Sequence, residues 1–251
     1  MLSLAPPPGS RIAVVGGSGG IGRATVKALS DAGCDVAVLD LDASLKRYPP
    51  AIGIAIDASD EKSVAQGFSA LAKRWDSLDA MINLCGYRTV IKPIDQLSAA
   101  EWDDGIAGNL RSAFLVSKAS VPLLKKAGGG RIVHVSSGIG TYGMKGYGPY
   151  AAAKGAINAM AKTMAKEYAP EIRVNIVSPG LVETAFIRGG TGRSNEDGTT
   201  EIDVTSYSRN IPLGRVADPD DIVGPILFLA GPASRYMTGQ ILYLNGGAFM
   251  P

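Results

Sequence analysis

The chain has 251 residues, of which 46% are apolar and 19% are charged, and this composition excludes a disordered, collagen-like or low-complexity protein. The formal net charge is only +2, so nothing indicates binding to nucleic acid or to an anionic membrane. Two cysteines cannot form a disulfide framework, and no apolar stretch reaches the ~18 residues that a membrane-spanning helix needs.

Apolar runs of strand length alternate along the chain with amphipathic runs of helical spacing. In chain order the predicted elements are strand Arg11–Val15, helix Gly20–Ala32, strand Asp35–Leu39, strand Ile52–Ile56, helix Glu61–Trp75 with Ser59 or Asp60 as its cap, strand Leu78–Leu84, helix Ala100–Lys126, strand Arg131–Ser136, helix Tyr150–Tyr168, strand Ile172–Val177, helix Asp220–Ala230 and strand Ile241–Leu244. Continuous apolar strands separated by helices are typical of a parallel sheet that is covered on both faces. We therefore predict an α/β fold, a single doubly wound (Rossmann-type) domain over residues 1–251 with about seven parallel strands and helices on both faces.

The first ten residues lack the regions of a signal peptide, because three consecutive prolines stand where its apolar region would run. We expect no signal peptide and a cytoplasmic location. One later segment breaks the alternation of strands and helices. Phe186–Arg209 is long, polar and rich in Gly, Ser and Thr, and we predict that a substrate lid forms around residues 186–212. Its charged residues are of both signs and predict no preference for substrate charge: Arg188, Arg193, Glu196, Asp197, Glu201 and Asp203.

A glycine-rich segment joins the first predicted strand to the first predicted helix. Its sequence is Gly16-Gly17-Ser18-Gly19-Gly20-Ile21-Gly22. Glycine permits a tight turn, a close approach of the backbone to a pyrophosphate and close packing of helix on strand, and the helix N-terminus favours phosphate. The placement between strand and helix predicts a dinucleotide-binding loop. Its contacts to the cofactor are assigned to Gly16, Ser18, Gly19, Gly20, Ile21 and Gly22.

Asp40 ends the second predicted strand, eighteen residues after Gly22. An acidic side chain there accepts hydrogen bonds from the adenosine ribose hydroxyls of NAD and repels the additional phosphate of NADP. Leu41 follows it and offers that phosphate no partner. The alternative is that Asp40 merely caps a turn at the strand end. We predict NAD as the cofactor.

Tyr150 and Lys154 are four residues apart at the start of a predicted helix, so both lie on one face. A tyrosine with an ordinary pKa near ~10 is a poor base at neutral pH, and a neighbouring ammonium is expected to lower that pKa. Such a phenol can donate a proton to a developing alkoxide or accept one from an alcohol. Of the nine tyrosines only Tyr150 has a lysine four positions later.

These motifs occur in an order and spacing that resemble the short-chain dehydrogenase/reductase family over essentially the whole chain. The matching segments are Gly16-xxx-Gly20-x-Gly22, Asp57, Asn83-Leu84-Cys85-Gly86, Asn109, Ser137, Tyr150 with Lys154, Pro179-Gly180 with Thr184, and Leu244-Asn245-Gly246-Gly247. The third of these departs from the usual Asn-Asn-Ala-Gly. The resemblance implies a catalytic tetrad of Asn109, Ser137, Tyr150 and Lys154. It also implies further cofactor contacts at Asp57, Ala58, Asn83, Cys85, Gly86, Tyr150, Lys154, Pro179, Gly180, Val182 and Thr184.

The resemblance assigns a separate role to each remaining polar residue. Ser137 is expected to hold the substrate oxygen, with Ser136 as the competing candidate that we take to be structural. Asn109 is expected to hold a water that links Lys154 to solvent. His134 is the only histidine, and without a Cys/His cluster it predicts a structural role and no metal site.

The substrate pocket is predicted from position and is mostly apolar or aromatic, which suits a mid-sized alcohol or ketone. Its candidates are Arg88, Ile139, Tyr142, Met144, Tyr147, Phe186 and Ile187. Arg88 or Arg188 could pair with a substrate carboxylate. The resemblance also implies a homodimer or homotetramer.

The predicted function is an NAD(H)-dependent oxidoreductase that transfers a hydride between nicotinamide and a secondary alcohol or ketone. A 3-oxoacyl-[acyl-carrier-protein] or 3-oxoacyl-CoA reductase is the alternative, because the segment around Tyr150 and the C-terminal region resemble those enzymes too. The third hypothesis, from another class, is a non-catalytic NAD-sensing domain.

Replacing Tyr150 with phenylalanine removes only the phenolic hydroxyl. We expect Tyr150→Phe to bind NAD normally and to lose at least about a hundredfold in turnover, because the proton donor is gone. Steady-state kinetics together with NADH fluorescence titration measure both quantities. Retained turnover would refute the assignment of the acid/base group.

Overall fold

The computed structural model describes residues 3–193, 196–200 and 202–251, so Ser194, Asn195 and Glu201 of the predicted lid lie outside the described residues. In chain order its elements are β1 (Arg11–Val15), α1 (Gly20–Asp31), β2 (Asp35–Asp40), α2 (Asp42–Arg47), β3 (Gly53–Ala55), α3 (Glu61–Arg74), β4 (Ala80–Asn83), α4 (Ala99–Ile106), a π-helical turn (Ala107–Arg111), α5 (Ser112–Lys126), β5 (Gly130–Val135), α6 (Ile139–Tyr142), α7 (Gly148–Glu167), β6 (Ile172–Pro179), α8 (Val204–Arg209), α9 (Pro219–Ala230) and β7 (Ile241–Leu244). Short 3₁₀ turns cover Ile94–Gln96, Ala185–Arg188 and Pro232–Ser234.

The strands form one parallel sheet in the order β3-β2-β1-β4-β5-β6-β7. The chain leaves β3 at one edge and returns to the centre of the sheet as β4, beside β1. This reversal opens a crevice at the carboxyl ends of β1 and β4, where ligands of such sheets bind. The predicted single doubly wound domain with seven parallel strands is confirmed.

Apolar side chains cover both faces of the sheet. Leu71 of α3 and Leu124 of α5 belong to a buried cluster with Met81 of the sheet. Leu29 of α1 and Ile226 of α9 belong to a second buried cluster. This cluster also contains Ile82 of β4, the residue that follows Met81. Each strand therefore buries side chains in both directions, which is why the strands are continuously apolar in the sequence. Within the described residues, no helix is long and apolar enough to cross a membrane.

The predicted helical stretch Ala100–Lys126 is helical throughout, but it contains a π-helical turn that the prediction lacked. The π-helical turn separates α4 from α5, and Asn109 lies inside it. The Asn109 amide nitrogen donates to Gly105 O at 3.0 Å, and Ser112 Oγ donates to Gly108 O at 2.8 Å. Gly105 lies in α4 and Gly108 in the turn, so both side chains bond to backbone carbonyl groups in or just before the turn. The helical periodicity did not reveal the π-helical turn, because the extra residue of such a turn leaves the spacing of apolar residues in the flanking helices unchanged.

Three short helices, α2, α6 and α8, were also absent from the prediction, because four to six residues do not establish a helical period. The cap of α3 was left open between two residues. In the structure Asp60 is the N-cap, and its Oδ1 accepts a hydrogen bond of 2.8 Å from Lys62 N.

Gly67 of α3 packs directly on the sheet, since a Cβ atom there would lie 2.2 Å from Ile56 Cγ2. We expect Gly67→Val to lower the free energy of unfolding by at least about 2 kcal/mol, because overpacking displaces the helix. The matched control is Gln66→Val, which introduces the same side chain at the neighbouring exposed position. We expect this control to change the free energy of unfolding by less than about 0.5 kcal/mol. Urea unfolding of both variants measures the difference, and equal stabilities would contradict this packing.

Candidate active site

The glycine-rich segment forms the turn between β1 and α1 at the crevice. Gly16 has a φ of +78°, and a Cβ atom there would lie 2.9 Å from Cys85 N. A Cβ atom on Gly22 would lie 2.3 Å from Gly16 O. In the described part of the chain no side chain caps the start of α1. The first amide groups of the helix are therefore available to an anion, and the backbone can approach it closely.

Asp40 ends β2 beside this turn. Its Oδ2 accepts a hydrogen bond of 2.9 Å from Ser18 N, and its Oδ1 accepts one of 2.8 Å from Leu41 N. Burial raises the pKa of the Asp40 carboxyl, and the hydrogen bonds from Ser18 and Leu41 act in the opposite direction. The carboxyl group thus ties the cofactor turn to β2, which gives it a structural task in addition to the predicted contact with ribose.

Asp40 lines a small cavity of about 100 Å³, and its lining also includes the predicted cofactor residues Leu41, Asp57 and Ala58. The Asp57 carboxylate accepts hydrogen bonds from the amide and the hydroxyl of Ser59, at 2.9 and 2.6 Å. The small cavity shares part of its lining with a large cavity of about 460 Å³. The shared residues are Gly16, Gly19, Leu84, Cys85, Gly86 and Thr191.

The large cavity brings together predicted cofactor, catalytic and substrate residues from distant parts of the chain. The predicted residues in its lining are Gly16, Gly19, Gly20, Ile21, Gly22, Cys85, Gly86, Arg88, Ser137, Ile139, Tyr142, Met144, Tyr147, Tyr150, Lys154, Pro179, Gly180, Val182, Thr184 and Phe186. Four predicted residues line neither cavity: Ser18, Asn83, Asn109 and Ile187. Ile187 was predicted in the substrate pocket, but it is 1% exposed and buried in the 3₁₀ turn that presents Phe186 to the cavity.

Tyr150 and Lys154 lie on α7 at the centre of this cavity, and both are buried. Burial raises the pKa of the Tyr150 phenol above its usual value, and a hydrogen bond with Ser137 opposes that rise. Burial lowers the pKa of Lys154 to about 8. The lysine nitrogen is 5.5 Å from the centre of the tyrosine ring and donates to Val135 O at 3.1 Å.

The pKa of Tyr150 therefore lies above its ordinary value and not below it, as the pairing with Lys154 had led us to expect. Desolvation of the phenolate by burial is the largest contribution to the pKa of Tyr150, and it acts upward. The phenol consequently holds its proton at neutral pH, and this state suits a proton donor.

Two consecutive serines follow β5, and the structure distinguishes them. Ser136 Oγ donates to Lys154 O at 3.1 Å and so holds α7 against the sheet. Ser137 is 8% exposed and lines the large cavity next to Tyr150. Both serines line that cavity, but the Ser136 hydroxyl is used in its bond to the backbone of α7, whereas the Ser137 hydroxyl is hydrogen-bonded to the Tyr150 phenol. That Ser137 holds the substrate oxygen stays a prediction.

Asn109 is completely buried behind the cavity wall. Its Oδ1 accepts from Tyr87 N at 3.2 Å, and its amide donates to Tyr87 O at 3.2 Å. A Cβ atom on Gly86 would lie 2.7 Å from Asn109 Oδ1 and 3.3 Å from Lys154 Nζ. The side chain therefore holds the segment after β4 close to Lys154, which is a positioning role. Its predicted part in a water link to Lys154 stays a prediction.

His134 is buried in β5 and anchors the end of β4. Cys85 N donates to Asn83 Oδ1 at 3.1 Å, which turns the Asn83 amide nitrogen toward His134 Nδ1 at 3.3 Å. Ser117 Oγ donates to Ala113 O and lies 3.2 Å from His134 Nε2. Nδ1 must then accept and Nε2 must donate, so the ring is neutral, and burial lowers its pKa to about 4.

The substrate side of the large cavity is built from aromatic side chains around the phenol. The ring centre of Tyr150 is 6.4 Å from that of Tyr147 and 5.8 Å from that of Phe186. Sequence reasoning missed several other residues in the cavity wall: Leu84, Ile91, Val135, Lys145, Leu181, Gly190, Thr191, Ile202 and Tyr207. Tyr207 lies on α8, and the Asp203–Ser206 cap of this helix was a signal in the sequence, since Asp203 Oδ1 accepts from Ser206 N at 2.9 Å.

The described parts of the predicted lid reach both cavities. Phe186, Ile202 and Tyr207 line the large cavity, and Thr191 lines both. Whether the segment orders on binding stays a prediction. The described residues contain no group of three or more His, Cys, Asp or Glu side chains that could hold a metal ion.

Comparison with known proteins agrees with this geometry. A family model described as "Enoyl-(Acyl carrier protein) reductase" matches residues 16–248. The 3-oxoacyl-[acyl-carrier-protein] reductase of Vibrio harveyi is 32% identical over 244 residues, which cover 94% of this chain and 96% of that protein. The chain therefore belongs to the short-chain dehydrogenase/reductase family. It is an oxidoreductase that acts on a CH–OH group or a ketone, in a family that binds nicotinamide cofactors.

Two solved structures show how closely the fold is shared. The 3-ketoacyl-(acyl-carrier-protein) reductase of Brucella melitensis, in complex with NADH, has a TM-score of 0.87 and 25% identity, with 99% of this chain and 100% of that chain covered. The aldohexose dehydrogenase of Thermoplasma acidophilum, in ligand-free form, has a TM-score of 0.85 and 25% identity, with 96% of this chain and 94% of that chain covered. The same scaffold thus carries different substrate specificities.

The neutral His134 makes the stability of the protein dependent on pH. Its pKa in the fold, about 4, lies below the ordinary value of 6.5, so the stabilisation is complete above pH 6.5 and is lost as the pH falls toward 4. We expect the free energy of unfolding to be about 2 kcal/mol lower at pH 5 than at pH 7 because of this residue. Urea titrations at the two pH values measure it. In His134→Gln the difference is expected to shrink by more than half, and an unchanged difference would contradict the neutral ring.

Proposed function

We propose that this oxidoreductase uses NAD(H) and transfers a hydride between nicotinamide and a secondary alcohol or ketone, with Tyr150 as the general acid/base. The observation that carries the proposal is the joined pair of cavities. They extend from Asp40 and Asp57, past the glycine turn, to Tyr150, Lys154 and an aromatic pocket. That arrangement fits an elongated ligand with a ribose at one end and a reacting carbon at the other.

The chain's own residues fit a dinucleotide. The glycine turn forms a cradle that a Cβ atom would fill, and Thr184 packs on it, because a Cβ atom on Gly20 would lie 2.5 Å from Thr184 Cγ2. We propose that the first turn of α1 binds the pyrophosphate, Asp40 binds the adenosine ribose, and Pro179, Gly180 and Thr184 hold the nicotinamide end. When bound, the nicotinamide supplies the hydride donor or acceptor.

The acid/base step depends on buried groups of this chain. The Tyr150 phenol is protonated at neutral pH, so it can donate its proton to the oxygen of a ketone as that oxygen gains negative charge. The Ser137 hydroxyl lies beside it and can hold the same oxygen. In the oxidative direction the phenolate accepts the alcohol proton. Lys154, held by Val135 O, supplies a positive charge that favours the phenolate.

A 3-oxoacyl-[acyl-carrier-protein] or 3-oxoacyl-CoA reductase is the second candidate. Its support is the name of a relative that is 32% identical over nearly the whole chain. Both candidates use the same proton donor and differ only in the substrate that enters the aromatic pocket. We also propose a homodimer or homotetramer, which the exposed apolar side chains Trp102 and Phe114 on α4 and α5 support.

A panel of substrates distinguishes the two candidates. Purified protein is assayed with NADH and with NADPH against secondary alcohols, simple ketones and 3-oxoacyl thioesters, and absorbance of the reduced cofactor is followed. The proposal expects turnover of simple ketones or alcohols with NAD(H). Turnover restricted to 3-oxoacyl thioesters would establish the second candidate, and no turnover in any combination would overturn both.

The preference for NAD is expected to depend on the charge of Asp40. Asp40→Asn keeps an oxygen that can accept from Ser18 N and removes the negative charge that repels a 2′-phosphate. We expect the ratio of NADPH to NADH affinity to rise at least about tenfold, as measured by fluorescence titration. Asp57→Asn, in the same cavity, is the control and should leave the ratio unchanged. An equal rise in both variants would contradict a local role for Asp40.

A further inference from the structure

A cationic side chain lines the small cavity, in which Asp40 and Asp57 also lie. Arg193 is the only cation among the described residues of this lining. It comes from the segment after β6, the sequence of which predicted a lid over the substrate. The small cavity is instead the one proposed for adenosine, so this part of the segment reaches the far end of the cofactor site.

A rigid platform holds the Arg193 guanidinium. Its carbon lies 3.9 Å from the centre of the Tyr87 ring, and its Nη2 lies 3.8 Å from Asp104 Oδ1. Tyr87 is itself fixed, because its hydroxyl donates to Asp104 O at 2.8 Å. The edge of its ring also packs against the π-helical turn, where a Cβ atom on Gly108 would be 2.0 Å from Tyr87 Cε1.

The backbone before Arg193 is held from the opposite side of the cavity. Ser44 of α2 is completely buried, and its Oγ donates to Thr191 O at 3.4 Å. Gly192 has a φ of +74°, and a Cβ atom there would lie 2.2 Å from Ser44 Oγ. A glycine at this position therefore lets the segment pass directly over α2, and Arg193 follows at the point where the chain meets the cavity.

We propose that Arg193 is a cofactor-binding residue that holds the adenosine diphosphate half of the dinucleotide. A guanidinium that lies on an aromatic ring keeps its second face for a purine and its N–H edges for phosphate oxygens. The small cavity otherwise carries the two carboxyl groups of Asp40 and Asp57, so the positive charge offsets their repulsion of an anionic ligand. This inference rests on the proposed NAD(H) function and adds to it a contact that acts on binding and not on chemistry.

The test measures the binding of two cofactor fragments to the whole protein by calorimetry. ADP is the probe, and nicotinamide mononucleotide is the comparison ligand. Arg193→Ala is expected to weaken ADP binding about tenfold and to leave nicotinamide mononucleotide binding within twofold. Arg193→Lys retains the charge but not the planar group, and its affinity for ADP is expected to fall about threefold. Arg209→Ala changes an exposed arginine on α8, in the same segment, and should have no effect.

The outcomes separate this inference from the proposed function, because ADP binding is measured without turnover. Unchanged ADP affinity in Arg193→Ala would overturn the inference even in an active NAD(H) enzyme. An equal loss for ADP and nicotinamide mononucleotide would also overturn it, because it would assign the effect to a general loosening of the segment. A loss confined to ADP would support the inference even if the protein turned over none of the alcohols and ketones assayed.

Discussion

The structure depends on the close approach of two backbone segments at the centre of the sheet. The turn after β1 lies so near the end of β4 that a Cβ atom on Gly16 would be 2.9 Å from Cys85 N. Only a glycine with a positive φ allows this contact, and only this contact lets α1 begin at the edge of the crevice. Both cavities share these residues in their lining, so the proposed cofactor site and the proposed catalytic site are built on one turn.

Buried polar groups maintain the other side of this crevice. Asn109 holds the backbone of Tyr87, and His134 holds Asn83, which in turn binds the amide of Cys85. The segment after β4 is therefore fixed by side chains from α5, β5 and the π-helical turn. The same low-dielectric surroundings that strengthen these hydrogen bonds raise the pKa of Tyr150 and lower that of Lys154. Structural order and acid/base chemistry have a common physical origin in this burial.

The segment after β6 connects the two ends of the site. Phe186 packs near the ring of Tyr150, while Thr191, only five residues later, contacts α2 and lines the small cavity. Gly189 and Gly190, which lie between them, both have a positive φ, a backbone conformation that glycine adopts without strain. The residues that surround the substrate and those that line the small cavity therefore belong to one piece of chain, and a change at either end acts on the same backbone.

The sequence by itself determined the fold class, the glycine turn, the position of Asp40 at a strand end and the shared face of Tyr150 and Lys154. Each of these is encoded locally, in a strand-length apolar run, a turn that only glycine permits, or an i,i+4 spacing. Only the tertiary structure decided that Asn109 lies in a π-helical turn, that Ile187 is buried away from the pocket, that burial raises the pKa of Tyr150, and that Arg193 reaches the small cavity. These features depend on contacts between residues far apart in the chain and on how completely water is excluded, and neither is encoded in any short stretch of sequence.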